Sequence, residues 1–108
     1  MERIQTLLGR LVTEAELQDA IIAGAELSGW LVYHDHDSRR NRPGLPDLIL
    51  CKPPRVVFLE LKSDKGRLRP EQQLWLRALE DCDTIASALV RPDDLAAVIS
   101  YLSRKENK

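Results

Sequence analysis

Two short apolar runs, Asp47-Leu48-Ile49-Leu50-Cys51 and Val56-Val57-Phe58-Leu59-Glu60-Leu61-Lys62, stand four residues apart across Lys52-Pro53-Pro54-Arg55. Runs this short and this rich in bulky and β-branched side chains suit strands, and so brief a connection makes them a hairpin with a four-residue loop. That hairpin fixes which side chains meet. If Cys51 faces Val56, then Asp47 lies directly opposite Glu60. Side chains alternate along a strand, so Glu60 and Lys62 share a face with Cα atoms roughly 7 Å apart. Opposed residues on one face have Cβ atoms about 5 Å apart.

Two carboxylates so placed among Leu48, Ile49, Phe58, Leu59 and Leu61 would repel one another. A divalent cation removes that repulsion, because hard ions such as Mg²⁺ take oxygen ligands from carboxylates and water. An ion held by Asp47 and Glu60 would polarise a phosphate oxygen and offset charge developing in the transition state. Lys62 could orient or help deprotonate an attacking water, or stabilise the pentacovalent phosphate. A plainer reading is an acid–lysine cluster at a solvated sheet edge, and the residue types alone leave it open.

Around the hairpin the chain reads as follows. Thr13-Glu14-Ala15-Glu16 opens a helix as a capping box, and Gly29 stops it after about Ser28. A strand follows at 30–36, then a polar loop at 37–46. After the hairpin comes a second basic loop at 63–69. Pro70 suits the first turn of a helix that continues to about Cys82. A fourth strand spans 84–90, and Pro92-Asp93-Asp94 opens a last helix ending near Leu102, with a frayed tail at 103–108. The order αβββαβα predicts an α/β sandwich around a mixed sheet.

At 108 residues the chain is expected to be one domain, 1–108, with its core at about 13–102. No apolar run approaches the roughly 20 residues needed to cross a bilayer, and the first ten residues lack a signal-peptide layout. Cys51 and Cys82 have no metal-ligand spacing, so both read as buried thiols in a reducing cytoplasm. The net charge of −1 conceals an asymmetry. Residues 39–69 hold nine Lys/Arg against three acids, +6, while the rest holds seven against fourteen, −7. A basic middle suits a nucleic-acid partner, although an Arg-rich solvated surface would read the same.

Further residues bear on the site. Glu14 shares a helical stripe with Leu17, Gln18 and Ile21, which aims it toward the strands, while Glu16 is explained by capping. Gln72 is the polar member of an otherwise core stripe, Trp75, Leu76 and Leu79, and could hydrogen-bond the catalytic strand. Gln73 lies off that stripe. Arg39, Arg40 and Arg42 precede Asp47, and Lys65, Arg67 and Arg69 follow Lys62, so both groups should flank the acids and grip a phosphate backbone. Such contacts carry no base sequence, which predicts structure-selective binding. His34 and His36 share a strand face, but a strand end running into a polar loop explains them better than a transition-metal site.

Gly44-Leu45-Pro46-Asp47 and, after twelve intervening residues, Glu60-Leu61-Lys62 resemble the PD-(D/E)XK nuclease signature. With Glu14-x-x-Leu17-Gln18 upstream and Leu68-x-Pro70-Glu71-Gln72-x-x-Trp75 downstream, the chain resembles the VRR-NUC branch in its small stand-alone phage or bacterial form. The resemblance covers about residues 13–102. It implies a restriction-endonuclease-like sandwich and a hydrolase dependent on Mg²⁺, with Mn²⁺ as substitute and no organic cofactor. It also implies Asp47, Glu60 and the Leu61 carbonyl as metal ligands, Lys62 as catalytic lysine, and Glu14 and Gln72 in support. Stand-alone members resemble Holliday-junction resolvases that act as homodimers on branched DNA, since two symmetric cuts need two active sites. Ala86-Ser87-Ala88 departs from the glycine-containing entry to the final strand often seen in the branch. Alternatives are a repair- or restriction-type nuclease acting on flaps or duplex, and a non-catalytic DNA-binding module on the same fold, which would be expected to lack Asp47, Glu60 or Lys62. A cytoplasmic, non-membrane location is expected.

Overall fold

The computed structural model describes residues 12–34 and 44–105. Its elements are α1 (Glu14–Leu27), β1 (Leu31–His34), β2 (Leu48–Lys52), β3 (Arg55–Leu61), α2 (Pro70–Glu80), β4 (Ala86–Val90), a 3₁₀ turn (Pro92–Asp94) and α3 (Leu95–Ser103). The strands form one sheet in the order β1-β2-β3-β4. Pairing is antiparallel except between β3 and β4, which run parallel and are joined by α2 as a crossover. The fold is therefore α/β with a mixed sheet, in the order αβββαβα.

The capping box forms as the sequence predicts. Glu16 N–H donates to Thr13 Oγ1 at 3.1 Å, and Thr13 N–H donates to Glu16 Oε1 at 3.0 Å. At the other end of α1, Gly29 takes φ +88°, where a Cβ would be strained. Lys52 Nζ donates to the Ser28 carbonyl at 2.6 Å, setting a cation at the helix's negative end.

The hairpin keeps the expected register, Leu48 with Leu59 and Cys51 with Val56. Its loop is tighter than expected, because Lys52 pairs with Arg55 and only Pro53-Pro54 turn the chain. Leu48, Leu50, Val57, Leu59, Leu61 and Val90 line one face of the sheet. They pack with Leu17, Ile21 and Ala25 of α1, Leu102 of α3, and Trp30. Burying each such aliphatic side chain contributes about 1.5–3 kcal/mol. Trp30 Nε1 donates to the Leu102 carbonyl at 2.8 Å. The Arg55 guanidinium lies 4.7 Å from the Trp30 ring centre and 5.3 Å from that of Tyr101, and donates to the Tyr101 and Arg104 carbonyls at 3.3 and 2.9 Å. A cation thus caps the C-terminus of α3 while stacking on the core's rim.

Several boundaries shift. β4 begins at Ala86 rather than residue 84, because Ile85 N–H turns back to the Cys82 carbonyl at 3.2 Å. A 3₁₀ turn precedes α3, with Asp94 accepting the Arg91 N–H at 2.9 Å. Both cysteines are free, but Cys82 sits in the turn after α2 and is exposed, and Cys51 is half-buried, so neither is the enclosed thiol expected. Small side chains at Ala86 and Ala88 leave an apolar cavity of about 240 Å³ beneath α3, which offers nothing to hold a phosphate. No helix among the described residues is long and apolar enough to cross a membrane.

Candidate active site

The geometry centres on Glu60, next to last in β3 and 1% exposed. Alternation turns it away from the Leu59 and Leu61 face, toward α2. Gln72 Nε2 donates to Glu60 Oε2 at 2.9 Å, and Lys62 Nζ lies 3.7 Å from the same oxygen. Among the described residues, buried Glu60 Oε1 has no hydrogen-bond partner. Burial, then the Asp47 charge, pushes the Glu60 pKa up to about 7; Glu14 adds to the rise, while Lys62 and the Asp47 backbone oppose it. A carboxyl group this enclosed with an unused oxygen is poised for a further positive partner.

Asp47 occupies the bend just before β2. The ladder ends with Leu48 opposite Leu59, so its next step faces Asp47 with Glu60. Asp47 Oδ2 accepts the Leu61 N–H at 3.1 Å, taking over the ladder where β2 runs out. The approach to Asp47 is narrow. Pro46 is fully buried, and Gly44 takes φ +108°. A Cβ on Gly44 would come within 2.5 Å of the Glu71 carbonyl oxygen and 2.6 Å of Trp75 Cδ1. Only glycine fits beneath the first turns of α2.

Trp75 therefore does not join the core as its stripe predicted. It is 39% exposed, with its ring edge over Gly44, while Leu79 is buried and Leu76 half-buried. Gln72 is buried as the odd polar member, and its own Oε1 accepts the Arg69 N–H at 2.9 Å. Glu14, at the start of α1, is largely solvent-exposed, yet its pKa is raised by partial burial and by Asp47, with Lys62 opposing. Glu14, Asp47, Glu60 and Lys62 thus lie within electrostatic reach of one another.

A family model described as the VRR-NUC domain matches residues 8–91. The chain belongs to the VRR-NUC family. That family is a branch of the PD-(D/E)XK nucleases, and the chain is accordingly a nuclease-family protein. A solved structure described as "VRR_NUC domain" is similar over 82% of this chain and 95% of its own, with a TM-score of 0.66 at 20% identity. At that identity the likeness speaks for the fold alone. No curated protein matches the chain.

Whether this VRR-NUC site suits a metal turns on its donors. Among the described residues no group of three or more His, Cys, Asp or Glu side chains is disposed to hold an ion. Asp47 and Glu60 are two carboxylates, and the unpartnered buried Oε1 of Glu60 is the observation that favours a cation there. Such a donor set fits Mg²⁺, which keeps several waters and is commonly bound by one or two carboxylates.

The basic loop after Lys62 presents Lys65, Arg67 and Arg69 to solvent, with Arg69 Nε 4.0 Å from Glu71 Oε1. A cleft of about 410 Å³ runs between this loop and the start of α1, lined by Val12, Thr13, Glu14, Ser63, Asp64 and Lys65. Arg39, Arg40 and Arg42, and His36, lie outside the described residues; His34 is half-buried at the end of β1. Sequence reasoning missed Arg91, whose Nη1 donates to the carbonyls of Ser63, Asp64 and Gly66 at 2.7, 3.3 and 2.8 Å. Nothing in its residue type marks it. Only the parallel pairing of Leu61 with Val90 brings it beside the loop.

Proposed function

We propose that this VRR-NUC chain is a Mg²⁺-dependent endonuclease that hydrolyses DNA phosphodiesters with structure selectivity, resolving four-way junctions as a homodimer, with Mn²⁺ able to substitute. The observation that carries this reading is Glu60, a buried carboxyl group one of whose oxygens has no partner among the described residues, one register step beyond the Leu48–Leu59 pair and 3.7 Å from an ammonium.

In this reading Asp47 and Glu60 hold the ion, with the Leu61 carbonyl as a third ligand. Bound there, Mg²⁺ supplies Lewis-acid polarisation of a phosphate oxygen and charge stabilisation in the transition state. Gln72 holds Oε2 of the Glu60 carboxylate, so that Oε1 would be the oxygen left to serve the ion. Lys62 orients the attacking water or steadies the phosphate's developing charge, and Glu14 is placed to take part in water positioning. Lys65, Arg67 and Arg69, together with Arg39, Arg40 and Arg42, contact the phosphate backbone, which selects DNA shape over sequence.

The test is cleavage of a four-way junction in Mg²⁺ by the wild type and by Asp47→Ala. Cutting by the wild type that disappears in the variant supports the assignment; cutting retained by Asp47→Ala overturns it. Flap, splayed-arm and linear duplex substrates run alongside decide between a resolvase and a repair- or restriction-type nuclease. Sedimentation of the protein on a junction tests the pairing, and a single protomer on the cut substrate would remove the homodimer.

A further inference from the structure

We propose that Arg91 is a positioning residue for this site, holding the Ser63–Gly66 turn so that the turn in turn holds Lys62 beside Glu60. The inference rests on the nuclease reading above and assigns a new residue to it.

The argument is a chain of contacts. Arg91 follows β4 directly, and Lys62 N–H donates to the Val90 carbonyl at 3.0 Å, so the two residues leave neighbouring parallel strands side by side. Arg91 Nη1 then gathers three carbonyls, those of Ser63, Asp64 and Gly66. Three carbonyl dipoles converging on one guanidinium nitrogen make a charge-assisted clamp, stronger than bonds to a neutral donor. The turn carries one backbone bond of its own, Gly66 N–H to the Ser63 carbonyl at 3.2 Å. To this a side chain at least twenty-five residues away adds three more bonds.

The turn rests on Lys62. A Cβ built on Gly66 would sit 3.3 Å from Lys62 Cδ, so the turn runs close beside the lysine's aliphatic stem. Lys62 is held to 14% side-chain exposure, with its ammonium 3.7 Å from Glu60 Oε2. A lysine has four rotatable bonds, and fixing its tip requires fixing its stem. The same turn supplies Ser63, Asp64 and Lys65 to one wall of the cleft beside Glu14. Releasing Arg91 would loosen both the ammonium and that wall without removing any group that touches the reacting phosphate.

The experiment compares wild type, Arg91→Ala and Arg91→Lys. Arg91→Ala is expected to lower kcat about tenfold to a hundredfold, the loss associated with a misplacement near 1 Å, with KM within about threefold of wild type. Free ethylguanidinium should restore part of that kcat, and Arg91→Lys, a single ammonium in place of the planar fork, should recover less than the added guanidinium. A second measurement needs no cleavage. Lys65 and Arg67 are trypsin sites on the turn's exposed side, and native Arg91→Ala should be nicked there while wild type resists. If Arg91→Ala cuts DNA at the wild-type rate, or is no more open to trypsin at Lys65 and Arg67 than wild type, the proposal is overturned. A wild type that cuts no DNA, with the tryptic difference intact, would remove the nuclease reading and leave Arg91's hold on the turn standing.

Discussion

Gln72 grips two partners with one amide: Nε2 donates to Glu60 Oε2 and Oε1 accepts the Arg69 N–H, each at 2.9 Å. One side chain thus closes the N-terminus of α2 and orients the buried carboxyl group. Gln72→Ala should lower stability by about 1–2 kcal/mol, from the lost cap and the lost hydrogen bond together. It also removes a donor that favours the charged form of Glu60. The acid limb of the pH–rate profile should accordingly move to higher pH, and an unmoved limb would separate Gln72 from the chemistry.

Glu60→Gln separates function from folding. The substitution keeps the shape and removes the buried charge facing Asp47. Cleavage should fall at least about a hundredfold, the scale of losing one electrostatic stabiliser. Metal-free stability at pH 8 should rise, because the wild-type chain must ionise that group in an apolar site. Urea denaturation without Mg²⁺ reads the second effect, and a less stable variant would contradict it.

The pH dependence of the metal-free protein follows from the same carboxyl group. Glu60 keeps its proton in the folded chain up to about 7, whereas an ordinary glutamate loses it near 4.5. Between those values the folded state holds the extra proton. The contribution of this group to stability is therefore fully present below about 4.5, is lost as pH rises through about 7, and is absent above. The decline from this group is of order 3 kcal/mol. Mg²⁺ would take the proton's place, so its stabilising effect should grow across the same window. Melting curves with and without Mg²⁺ at pH 5, 6, 7 and 8 check both directions.

Gly44→Ala meets two obstacles, a φ of +108° and close contact with the Glu71 carbonyl and the Trp75 ring. Forcing a Cβ there should lower stability by at least about 1–3 kcal/mol, the range for a strained backbone position. Because Asp47 lies three residues on, Mg²⁺ affinity should weaken as well. Calorimetric titration of Mg²⁺ into the variant measures that coupling.

Replacing Lys65, Arg67 and Arg69 together by alanine should flatten the dependence of DNA affinity on salt. Each phosphate contact contributes about 0.9 to the slope of log affinity against log salt for duplex DNA. Arg69 shares its charge with Glu71, so the triple variant should lose closer to two units than three. An unchanged slope would take the loop out of the interface.

Much of this arrangement was legible in the chain, for physical reasons that differ by residue. Asp47 and Glu60 could be matched because a strand has a period of two and a short hairpin leaves few registers. Thr13 and Glu16 declared the start of α1 because their side chains satisfy local backbone groups. Trp75 misled, since periodicity records which stripe a residue occupies but not how far the opposing layer extends over it. Cys82 misled for another reason, since residue type favours burial but the thiol sits at a helix end that turns toward water. Arg91 was silent because its role arises from a parallel pairing between segments separated by a crossover helix, and no local pattern encodes that neighbour.

The Pro53-Pro54 turn closes the hairpin at the end of the sheet farthest from the acids, some five residues, or about 17 Å, from Glu60. Its two-residue length nevertheless decides which way the acids look. A pairing slipped by one residue at this bend would leave every chemical group in the chain intact while exchanging the two sides of the strand. Glu60 would then lie among leucines, and Leu59 would look out toward Gln72 in its place. The number of residues in a remote bend is, in this sense, part of what keeps Glu60 facing Gln72.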